Sequence, residues 1–260
     1  MLLKDKVIII TGVGPGMGRK LATVAAAEGA KVALSARSEG LIREVAAEIE
    51  AAGGEAIAQR CDVGNMDQCE RLAAATLEAF GRIDGLVNSA YRFSHGHELE
   101  DNDLGEWQAT MDASCWGALR MVKSVIPAMK RQGGGSIVNV SSRSTVQVIP
   151  GEGAYVVAKE AIHGATRFLA VELGPYNIRV NAPRMGWLWG VPVENHLKHR
   201  AETTGVPFDE IVAGIAKEIP LGVIPPDEEC AKSVLFFVSD YSKMVTGTSM
   251  DINGGQFMAA

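Results

Sequence analysis

The chain lacks the features of a membrane, nucleic-acid-binding or secreted protein. No apolar run approaches the roughly 20 residues that a membrane-spanning helix needs, and the first residues show no signal-peptide hydrophobic region. Acidic residues exceed basic ones by 31 to 25, for a net charge of −6, so the basic excess typical of nucleic-acid binders is missing. These absences favour a cytoplasmic protein whose partners are neither membranes nor nucleic acids.

Cysteine is scarce, and the four cysteines have no C-x-x-C spacing and no histidine cluster that would predict a zinc site. We therefore expect reduced, packed cysteines and no metal. Two neighbouring histidines, His95 and His97, are too few for a metal centre, and we expect them to be solvated or to face a substrate.

Apolar runs typical of strands alternate with helical patterns along all 260 residues. Several of these runs are continuously apolar, as expected for parallel strands covered on both faces. The sequence therefore predicts an α/β fold in which one Rossmann-type domain, residues 1–260, has a doubly wound parallel sheet of about seven strands flanked by helices. The predicted strands are Val7–Thr11, Lys31–Ser35, Glu55–Cys61, Ile83–Asn88, Ser136–Ser141, Ile178–Asn181 and one near Ser249–Ile252. The predicted helices are Gly16–Glu28, Glu39–Ala52, Met66–Phe80, Leu104–Arg131, Ala154–Leu173 and Asp227–Ser239.

The segment from about residue 185 to residue 226 breaks this alternation. It holds five prolines, two tryptophans and two short helical patterns. Long excursions from a compact domain usually carry function or are mobile. We expect a substrate loop here, and a plain surface insertion is the alternative.

A glycine-rich turn follows the first predicted strand and has the pattern T-G-x-x-x-G-x-G. Small residues let the backbone approach a pyrophosphate, and the helix that follows presents free N–H groups. A tight loop without a ligand is the alternative. The turn resembles that of the short-chain dehydrogenase/reductase family, which implies a nicotinamide dinucleotide. The predicted cofactor-binding residues of the turn are Thr11, Gly12, Gly14, Gly16, Met17 and Gly18.

The residues after the second predicted strand bear on the choice of cofactor. NAD-specific members of the family usually carry aspartate at the position of Ala36, where a carboxylate binds the ribose hydroxyls. Ala36 lacks that carboxylate, and Arg37 adds a permanent cation that suits a 2′-phosphate. The sequence therefore predicts NADP(H) rather than NAD(H), unless Arg37 is only a solvated residue at a helix start.

Further cofactor contacts are implied by the resemblance. The family places an Asp-Val pair, here Asp62 and Val63, against the adenine, although Asp62 is equally suited to cap a helix. Asn88 and Ala90 match the family's L-V-N-N-A-G segment.

A second stretch of implied cofactor contacts follows the sixth predicted strand. There we expect Gly186 and the backbone at Leu188 to reach the nicotinamide amide. Met185 replaces a proline of the family pattern, and Gly190 replaces a threonine that often touches this amide.

Three residues carry the predicted chemistry. Tyr155 and Lys159 are four residues apart, so a helix places them on one face, and Ser142 precedes Tyr155 by thirteen residues. The pattern Y-x-x-x-K alone is common on solvated helices, but the three residues together have the family's spacing. The resemblance extends over nearly the whole chain. It implies that Ser142 orients the substrate oxygen and that Lys159 also binds the nicotinamide ribose.

Ketone reduction places negative charge on the substrate oxygen, so a hydrogen-bond donor and a proton are needed there. The ordinary pKa of tyrosine, about 10, is high for this task, and a nearby ammonium group lowers it. We therefore expect Lys159 to lower the pKa of Tyr155. The resemblance implies that Tyr155 is the general acid in reduction and the general base in oxidation.

The main departure from the family is Ser114, which stands where an asparagine usually holds a water of the proton relay. We expect Ser114 to be catalytic, with either an extra water in the relay or weaker catalysis. Tyr91 also departs, since it replaces a glycine and would put a ring beside the catalytic residues.

Aromatic residues make up only 6% of the chain, yet several fall in segments that we expect at the substrate. The predicted substrate residues are Tyr91, Met185, Trp187 and Trp189, with Phe93 and Trp116 as further candidates. Apolar walls with few polar groups favour a bulky or cyclic alcohol or ketone. Packing of some of these rings in the core or in a subunit contact is the alternative. Arg184 would pair with a phosphate or an acidic substrate group, or be a surface residue.

These observations predict an NADP(H)-dependent oxidoreductase that acts on a secondary alcohol or ketone. A nucleotide-binding regulatory or sensor protein with weak turnover is the alternative, favoured by Ser114, Tyr91 and Met185. An enoyl-thioester reductase is a third, although such relatives usually space tyrosine and lysine by seven residues. The resemblance also implies a homodimer or homotetramer formed through the long helices at Leu104–Arg131 and Ala154–Leu173.

Overall fold

A computed structural model describes residues 1–93 and 98–258, so the predictions for His95 and His97 lie outside the described residues. The main sheet consists of β1 (Val7–Thr11), β2 (Lys31–Ser35), β3 (Glu55–Ala58), β4 (Gly85–Asn88), β5 (Gly135–Asn139) and β7 (Ile178–Asn181). A second sheet consists of β6 (Ser141–Ser142), β8 (Arg184–Met185) and β9 (Asp251–Ile252). The α-helices are α1 (Met17–Ala27), α2 (Glu39–Ala51), α3 (Met66–Phe80), α4 (Leu104–Met111), α5 (Gly117–Arg131), α6 (Gly153–Leu173), α7 (Val191–Thr204), α8 (Phe208–Lys217) and α9 (Asp227–Phe236).

The main sheet has the order β3-β2-β1-β4-β5-β7, and all its strand pairs are parallel. The order reverses at β1, as in a doubly wound sheet, and helices cover both faces. Ile8 and Ile10 of β1 pack in one core with residues of α1, α2 and α9, whereas Ile9 packs in the other core with residues of α3, α5 and α6. β1 thus contributes side chains to both cores, because successive residues of a strand point to opposite faces of the sheet.

Several sequence predictions of the fold need correction. The predicted strand Ser136–Ser141 is β5 (Gly135–Asn139) followed by β6 in the second sheet. The main sheet has six strands, and the predicted last strand, β9, instead pairs with β8 in the second sheet. β3 ends at Ala58 rather than at Cys61, because it is an edge strand whose ladder with β2 stops there. The predicted helix Leu104–Arg131 is interrupted by a π-helical turn over Asp112–Trp116 between α4 and α5.

The segment between β8 and α9 folds into α7 and α8, which share a small apolar cluster. Its buried members are Leu197, Ile211, Ile215, Ile219 and Ile224. All four cysteines are buried and free of disulfides, as the sequence predicts. Within residues 1–93 and 98–258, the helices are too short or too polar to span a bilayer.

Candidate active site

The fold brings Ser142, Tyr155 and Lys159 together at the carboxyl ends of the central strands. Ser142 ends β6, and Tyr155 and Lys159 lie one turn apart on α6. Ser142 acts on Tyr155 as a hydrogen-bond donor that favours the phenolate and so lowers the pKa of Tyr155. The Nζ atom of Lys159 lies 5.6 Å from the centre of the Tyr155 ring and donates a hydrogen bond of 2.7 Å to the carbonyl of Val140. The spacing on the sequence thus corresponds to one cluster in space.

The electrostatics of this cluster differ from the sequence expectation. Burial raises the pKa of Tyr155 above its ordinary value, with Tyr91 adding to the rise and the hydrogen bond from Ser142 opposing it. Burial lowers the pKa of Lys159 to about 8. The expectation of a lowered pKa for Tyr155 is wrong for this arrangement, because the loss of solvation on burial outweighs the favourable hydrogen bonding of Ser142. Tyr155 is therefore a protonated phenol at neutral pH, ready to act as an acid.

Two rings from the segment after β4 flank Tyr155. The ring centre of Phe93 lies 5.0 Å from that of Tyr155, and that of Tyr91 lies 6.1 Å away in an edge-on arrangement. Tyr91 is exposed, and Nζ of Lys159 lies 5.9 Å from its ring centre. Tyr91, which replaces a glycine of the family pattern, and Phe93 thus form an aromatic wall directly beside the phenol.

Ser114 lies in the π-helical turn and is buried. Its hydroxyl accepts a hydrogen bond of 3.0 Å from the N–H of Arg92 and donates one of 3.2 Å to the carbonyl of the same residue. The side chain therefore holds the segment that carries the two rings. A π turn adds one residue to a helical turn, and such turns often occur at functional sites. Its position had no signal in the sequence.

The glycine turn is shaped as a cradle for a ligand. Gly12 has a φ of +70°, and a Cβ there would lie 2.5 Å from the backbone of Ala90, so only glycine fits. A Cβ on Gly18 would lie 2.4 Å from the carbonyl oxygen of Gly12, so the start of α1 packs directly on the turn. At Gly14 a Cβ would meet nothing closer than 3.9 Å, which leaves the backbone accessible. The side-chain oxygen of Thr11 accepts hydrogen bonds from the N–H groups of Ser89 and Ala90 and ties the turn to the end of β4.

Residues around the turn offer the groups that a dinucleotide needs. The side chain of Arg37 is exposed and, among the described residues, forms no ion pair. Asp62 accepts a hydrogen bond from the N–H of Gly64, and Asn65 caps α3, so the alternative of Asp62 as a helix cap is wrong. Asn88 bridges β4 to β5 by donating to the side chain of Asn139, and the Oδ1 atom of Asn88 is buried without a partner in the described part of the chain.

The loop residues predicted at the substrate separate into two groups. Trp187 lines a cavity of about 540 Å³ between the segment after Ser142 and helices α7 and α8, and the guanidinium of Arg143 lies 5.5 Å from its ring centre. Trp189 instead packs in the small apolar cluster, and its ring centre lies 6.3 Å from that of Phe208.

Two further predicted substrate residues lie in different surroundings. Met185 is buried in the core of the main sheet and exposes little surface. Trp116 is exposed beside Trp107, where both line a different cavity.

Three contacts near the site had no signal in the sequence. Arg184 forms a two-pronged ion pair with Asp251, at 2.8 and 3.1 Å, so its predicted pairing with a phosphate or a substrate is wrong. His163, one turn beyond Lys159 on α6, hydrogen-bonds Ser141 and Ser249, both at 2.8 Å. Burial lowers the pKa of His163 to about 4, so this histidine is neutral and structural at pH 7.

Comparison with known proteins extends over nearly the whole chain. A family model described as enoyl-(acyl carrier protein) reductase matches residues 12–256. Levodione reductase from Leifsonia aquatica is 35% identical over 257 residues, covering 98% of this chain and 95% of that protein. The chain belongs to the short-chain dehydrogenase/reductase family. It is an oxidoreductase of the dehydrogenase or reductase type.

Other relatives in the short-chain dehydrogenase/reductase family extend the likeness. Trans-4-hydroxycyclohexanecarboxylate dehydrogenase from Sinomonas cyclohexanicum is 34% identical, covering 97% of this chain and 93% of that protein. The crystal structure of levodione reductase superposes with a TM-score of 0.89 at 32% identity and covers 98% of both chains. These likenesses confirm the predicted fold class.

Family members solved with cofactor show both nicotinamide dinucleotides. An NAD⁺-bound xylitol dehydrogenase has a TM-score of 0.90 at 27% identity and covers 98% of this chain and 100% of that one. An actinorhodin polyketide ketoreductase variant with NADPH has a TM-score of 0.89 at 29% identity and covers 96% and 97%. The family binds nicotinamide cofactors, and the glycine cradle of this chain fits one.

One departure from the family pattern has a visible cause. Gly190 stands where the family usually has threonine, and a Cβ at Gly190 would lie 2.3 Å from a carboxylate oxygen of Asp227. Asp227 is buried, and burial raises its pKa. The N–H of Asp227 donates to the carbonyl of Trp189, which ties the backbone of Asp227 to the start of α7. A side chain at position 190 would therefore require the carboxylate of Asp227 to move.

Proposed function

We propose that this chain is an NADP(H)-dependent enzyme that interconverts a bulky or cyclic secondary alcohol and its ketone. The observation that carries the proposal is the cluster of Tyr155, Ser142 and Lys159 beside the open glycine turn. These residues bring together a phenol, a serine hydroxyl and an ammonium group. Such a set of hydrogen-bond donors suits an oxygen that gains negative charge during the reaction. Tyr155 lies next to apolar rings rather than in bulk water.

The choice of NADP(H) over NAD(H) rests on two adjacent residues. Ala36 has no carboxylate to bind ribose hydroxyls, and the exposed guanidinium of Arg37, which forms no ion pair with the described residues, suits a 2′-phosphate. The backbone from Gly12 to Gly18 at the start of α1 would hold the pyrophosphate. Pro192 of α7 lies 3.0 Å from the position of a Cβ on Gly16, so the loop helix borders the same turn.

Bound nicotinamide would supply or accept the hydride, and the residues of the chain would handle the proton. In reduction, Tyr155 gives its proton to the substrate oxygen, and in oxidation it takes a proton from the alcohol. Ser142 acts as a hydrogen-bond donor towards Tyr155 and favours the phenolate. Lys159, with a pKa of about 8, still carries a positive charge on most molecules at neutral pH and favours the phenolate as it forms. The further cofactor contacts at Val63, Gly186 and Leu188 remain predictions, as does the catalytic part of Ser114.

The substrate class follows from the walls of the site. Tyr91 and Phe93 pack beside Tyr155 and supply aromatic surface there. Trp187 lines a neighbouring cavity, which also contains the charged side chains Arg143, Arg200, Glu210 and Glu218. Aromatic side chains bury a large apolar area when they pack against a ring of the ligand. The names of two relatives, levodione reductase and trans-4-hydroxycyclohexanecarboxylate dehydrogenase, describe six-membered-ring chemistry for those proteins.

We further propose that the chain forms homodimers or homotetramers through α5 and α6. Large apolar side chains are exposed on α6, namely Val157, Phe168 and Val171, and Trp116 is exposed in the π-helical turn just before α5. Exposed apolar groups in such number favour an interface. Light scattering behind size-exclusion chromatography measures the mass, and a monomer would contradict this part of the proposal.

The experiment is a screen of cyclic and open-chain alcohols and ketones with NADPH and NADH, followed by absorbance of the reduced nicotinamide. The proposal predicts turnover of cyclic ketones with NADPH and weaker turnover with NADH. An enoyl thioester is included because of the description of the matching family model. Binding of NADPH without turnover of any compound would favour the regulatory alternative, and preference for NADH would contradict the cofactor choice.

A further inference from the structure

The helix α6 is bonded to the residues that lead directly into Ser142. Lys159 and His163 are four residues apart, so they lie on the same face of the helix. The Nζ atom of Lys159 donates to the carbonyl of Val140 at 2.7 Å. One turn further along the helix, the Nε2 atom of His163 is hydrogen-bonded to the Oγ atom of Ser141 at 2.8 Å. The two residues before Ser142 are therefore both held by side chains of α6.

Ser141 and Ser142 form β6, a strand of two residues at the edge of the second sheet. The N–H of Ser141 donates to the carbonyl of Pro183 at 2.8 Å, and this bond holds β6 against the segment that leads into β8. The side chain of Ser141 bonds instead to His163, on the helix that also carries Tyr155. Backbone bonds thus set the register of β6 in its sheet, whereas His163 ties β6 to α6.

The second nitrogen of the His163 ring also has a partner. Its Nδ1 atom is hydrogen-bonded at 2.8 Å to the Oγ atom of Ser249, in the segment before β9. Since β6 and β9 are the outer strands of the second sheet, the ring joins α6 to both sides of that sheet. His163 is 5% exposed and Ser141 is 2% exposed, and buried polar groups without a partner are costly. The two bonds together therefore favour a single orientation of the ring.

The surroundings of His163 favour its neutral form. Burial lowers the pKa of the ring to about 4. The positive charges of Arg184, Arg167 and Lys159 act in the same direction on this pKa, and the carboxylate of Asp251 opposes them. A neutral imidazole has one N–H to donate and one nitrogen to accept, and the two serine hydroxyls use both. The ring therefore acts on the reaction through the residues that it holds, not by carrying a proton.

We propose that His163 is a positioning residue that holds Ser142 in place through its hydrogen bond to Ser141. The inference rests on the proposed function, in which the Ser142 hydroxyl is a donor close to the reacting oxygen. Because Ser141 and Ser142 are adjacent in the chain, a movement of β6 away from α6 carries the Ser142 hydroxyl away from the phenol of Tyr155. Donors stabilise developing charge only when they are held at the right distance beforehand.

The two bonds of the ring can be separated by substitution. In His163→Gln the side-chain amide reaches the position of Nε2, so the bond to Ser141 should be retained. In His163→Asn the shorter amide reaches the position of Nδ1, on the side of Ser249, and the bond to Ser141 is lost. Ser141→Ala removes the same bond from its other partner. Ser249→Ala is the matched control, because it removes the bond at Nδ1 instead.

The measurements are kcat and KM for reduction of a cyclic ketone with NADPH, and the dissociation constant of NADPH from fluorescence titration. We expect kcat to fall about 10- to 100-fold in His163→Asn and Ser141→Ala, the size of effect that a misplacement of about 1 Å can have. His163→Gln and Ser249→Ala should keep a kcat close to that of wild type. KM and the NADPH dissociation constant should change little, because the serine hydroxyl acts on charge that develops in the transition state.

A purely structural role of His163 predicts a different pattern. Ser141→Ala and Ser249→Ala each remove one hydrogen bond to the same ring, so thermal unfolding should show comparable losses of stability. We expect kcat to separate the two variants although stability does not. A kcat of Ser141→Ala equal to that of Ser249→Ala would overturn the inference. Equal losses of kcat in His163→Gln and His163→Asn would overturn it as well.

A double variant tests whether the two losses have one cause. Ser141→Ala and His163→Asn remove the same hydrogen bond, so their combination should lower kcat no further than the more damaging of the two. Multiplied losses in the double variant would contradict a shared bond. Should His163→Asn fail to fold, the two serine variants, which each lose only a hydroxyl group, still provide the deciding comparison.

Failure of the proposed function would be visible separately. A wild-type chain that turns over no compound of the panel would remove the oxidoreductase proposal, and the positioning role of His163 with it. Wild-type turnover that His163→Asn and Ser141→Ala retain in full would remove the positioning role alone.

Discussion

Ser114 holds both polar backbone groups of Arg92 with a single hydroxyl, at 3.0 and 3.2 Å. Arg92 lies between Tyr91 and Phe93, the two residues whose rings flank Tyr155. The serine that replaces the family's asparagine therefore controls where the aromatic wall stands. Its one proton is given to a carbonyl group, so the side chain acts on the site by positioning.

Replacement of Ser114 by alanine should leave the rings of Tyr91 and Phe93 less firmly positioned beside Tyr155. Loss of two hydrogen bonds to the backbone should lower the free energy of unfolding by about 1–2 kcal/mol. KM for a cyclic substrate should rise several-fold, while the dissociation constant for NADPH stays the same. Urea unfolding and steady-state kinetics measure these effects. Ser124→Ala is the control, because that hydroxyl bonds only the carbonyl of Arg120 within its own helix. A fall in kcat with unchanged KM would instead place Ser114 in the proton relay.

Arg37→Ala should change the choice of cofactor. Removing the guanidinium should weaken NADPH binding by about 10- to 100-fold, in line with a charged hydrogen bond of 1.5–3 kcal/mol, and should leave NADH binding nearly unchanged. Fluorescence titration of both reduced cofactors measures this difference. Arg43→Ala is the matched control, since Arg43 is exposed on α2 and pairs with Glu39. Equal loss of affinity for both cofactors would contradict a contact with the 2′-phosphate.

Gly190→Ala should destabilise the protein at the start of α7. The new methyl group would overlap the buried carboxylate of Asp227, and overpacking of this kind costs about 1–3 kcal/mol. Thermal unfolding measures the loss. Gly40→Ala on α2 is the control, because a Cβ there meets nothing within 4 Å and alanine favours the helix. Wild-type stability of Gly190→Ala would show that Asp227 moves aside easily.

The fold should become less stable as the pH is lowered, because of His163. Its pKa is about 4 in the folded chain, below the ordinary 6.5, so the unfolded state binds more protons between these values. Stability from the neutral ring is fully present above pH 6.5 and is lost as the pH falls towards 4, by at most about 1.4 kcal/mol per pH unit. Urea unfolding between pH 7.5 and 5 measures this slope.

The variant that isolates this effect is His163→Gln, which has no titrating group and should show a shallower slope than wild type. The exposed His199 provides the control, since His199→Gln should keep the wild-type slope. Parallel slopes for wild type and His163→Gln would contradict the assignment.

The sequence predicts the sheet and the catalytic cluster well, for physical reasons. β1, β2 and β7 have the predicted bounds because each is a short run of β-favouring apolar residues that ends at a polar residue, Thr11, Ser35 and Asn181. The cluster is predictable because a helix fixes the relation of Tyr155 to Lys159.

What the sequence does not predict depends on loops and distant pairs. The π-helical turn at Asp112–Trp116 contains no proline or glycine to signal it. The pairing of Arg184 with Asp251 joins residues that are 67 positions apart. The pKa of Tyr155 depends on burial by surrounding segments, which a count of neighbouring charges omits.

The most direct test of the account is the activity of Tyr155→Phe, which removes one oxygen atom and keeps the ring. Steady-state turnover of a cyclic ketone with NADPH should fall by at least about 100-fold, the usual contribution of an oriented acid. NADPH binding, measured by fluorescence titration on the same preparation, should be unchanged because the glycine turn is untouched. Turnover at the wild-type rate in this variant would contradict the assignment of Tyr155 as the acid.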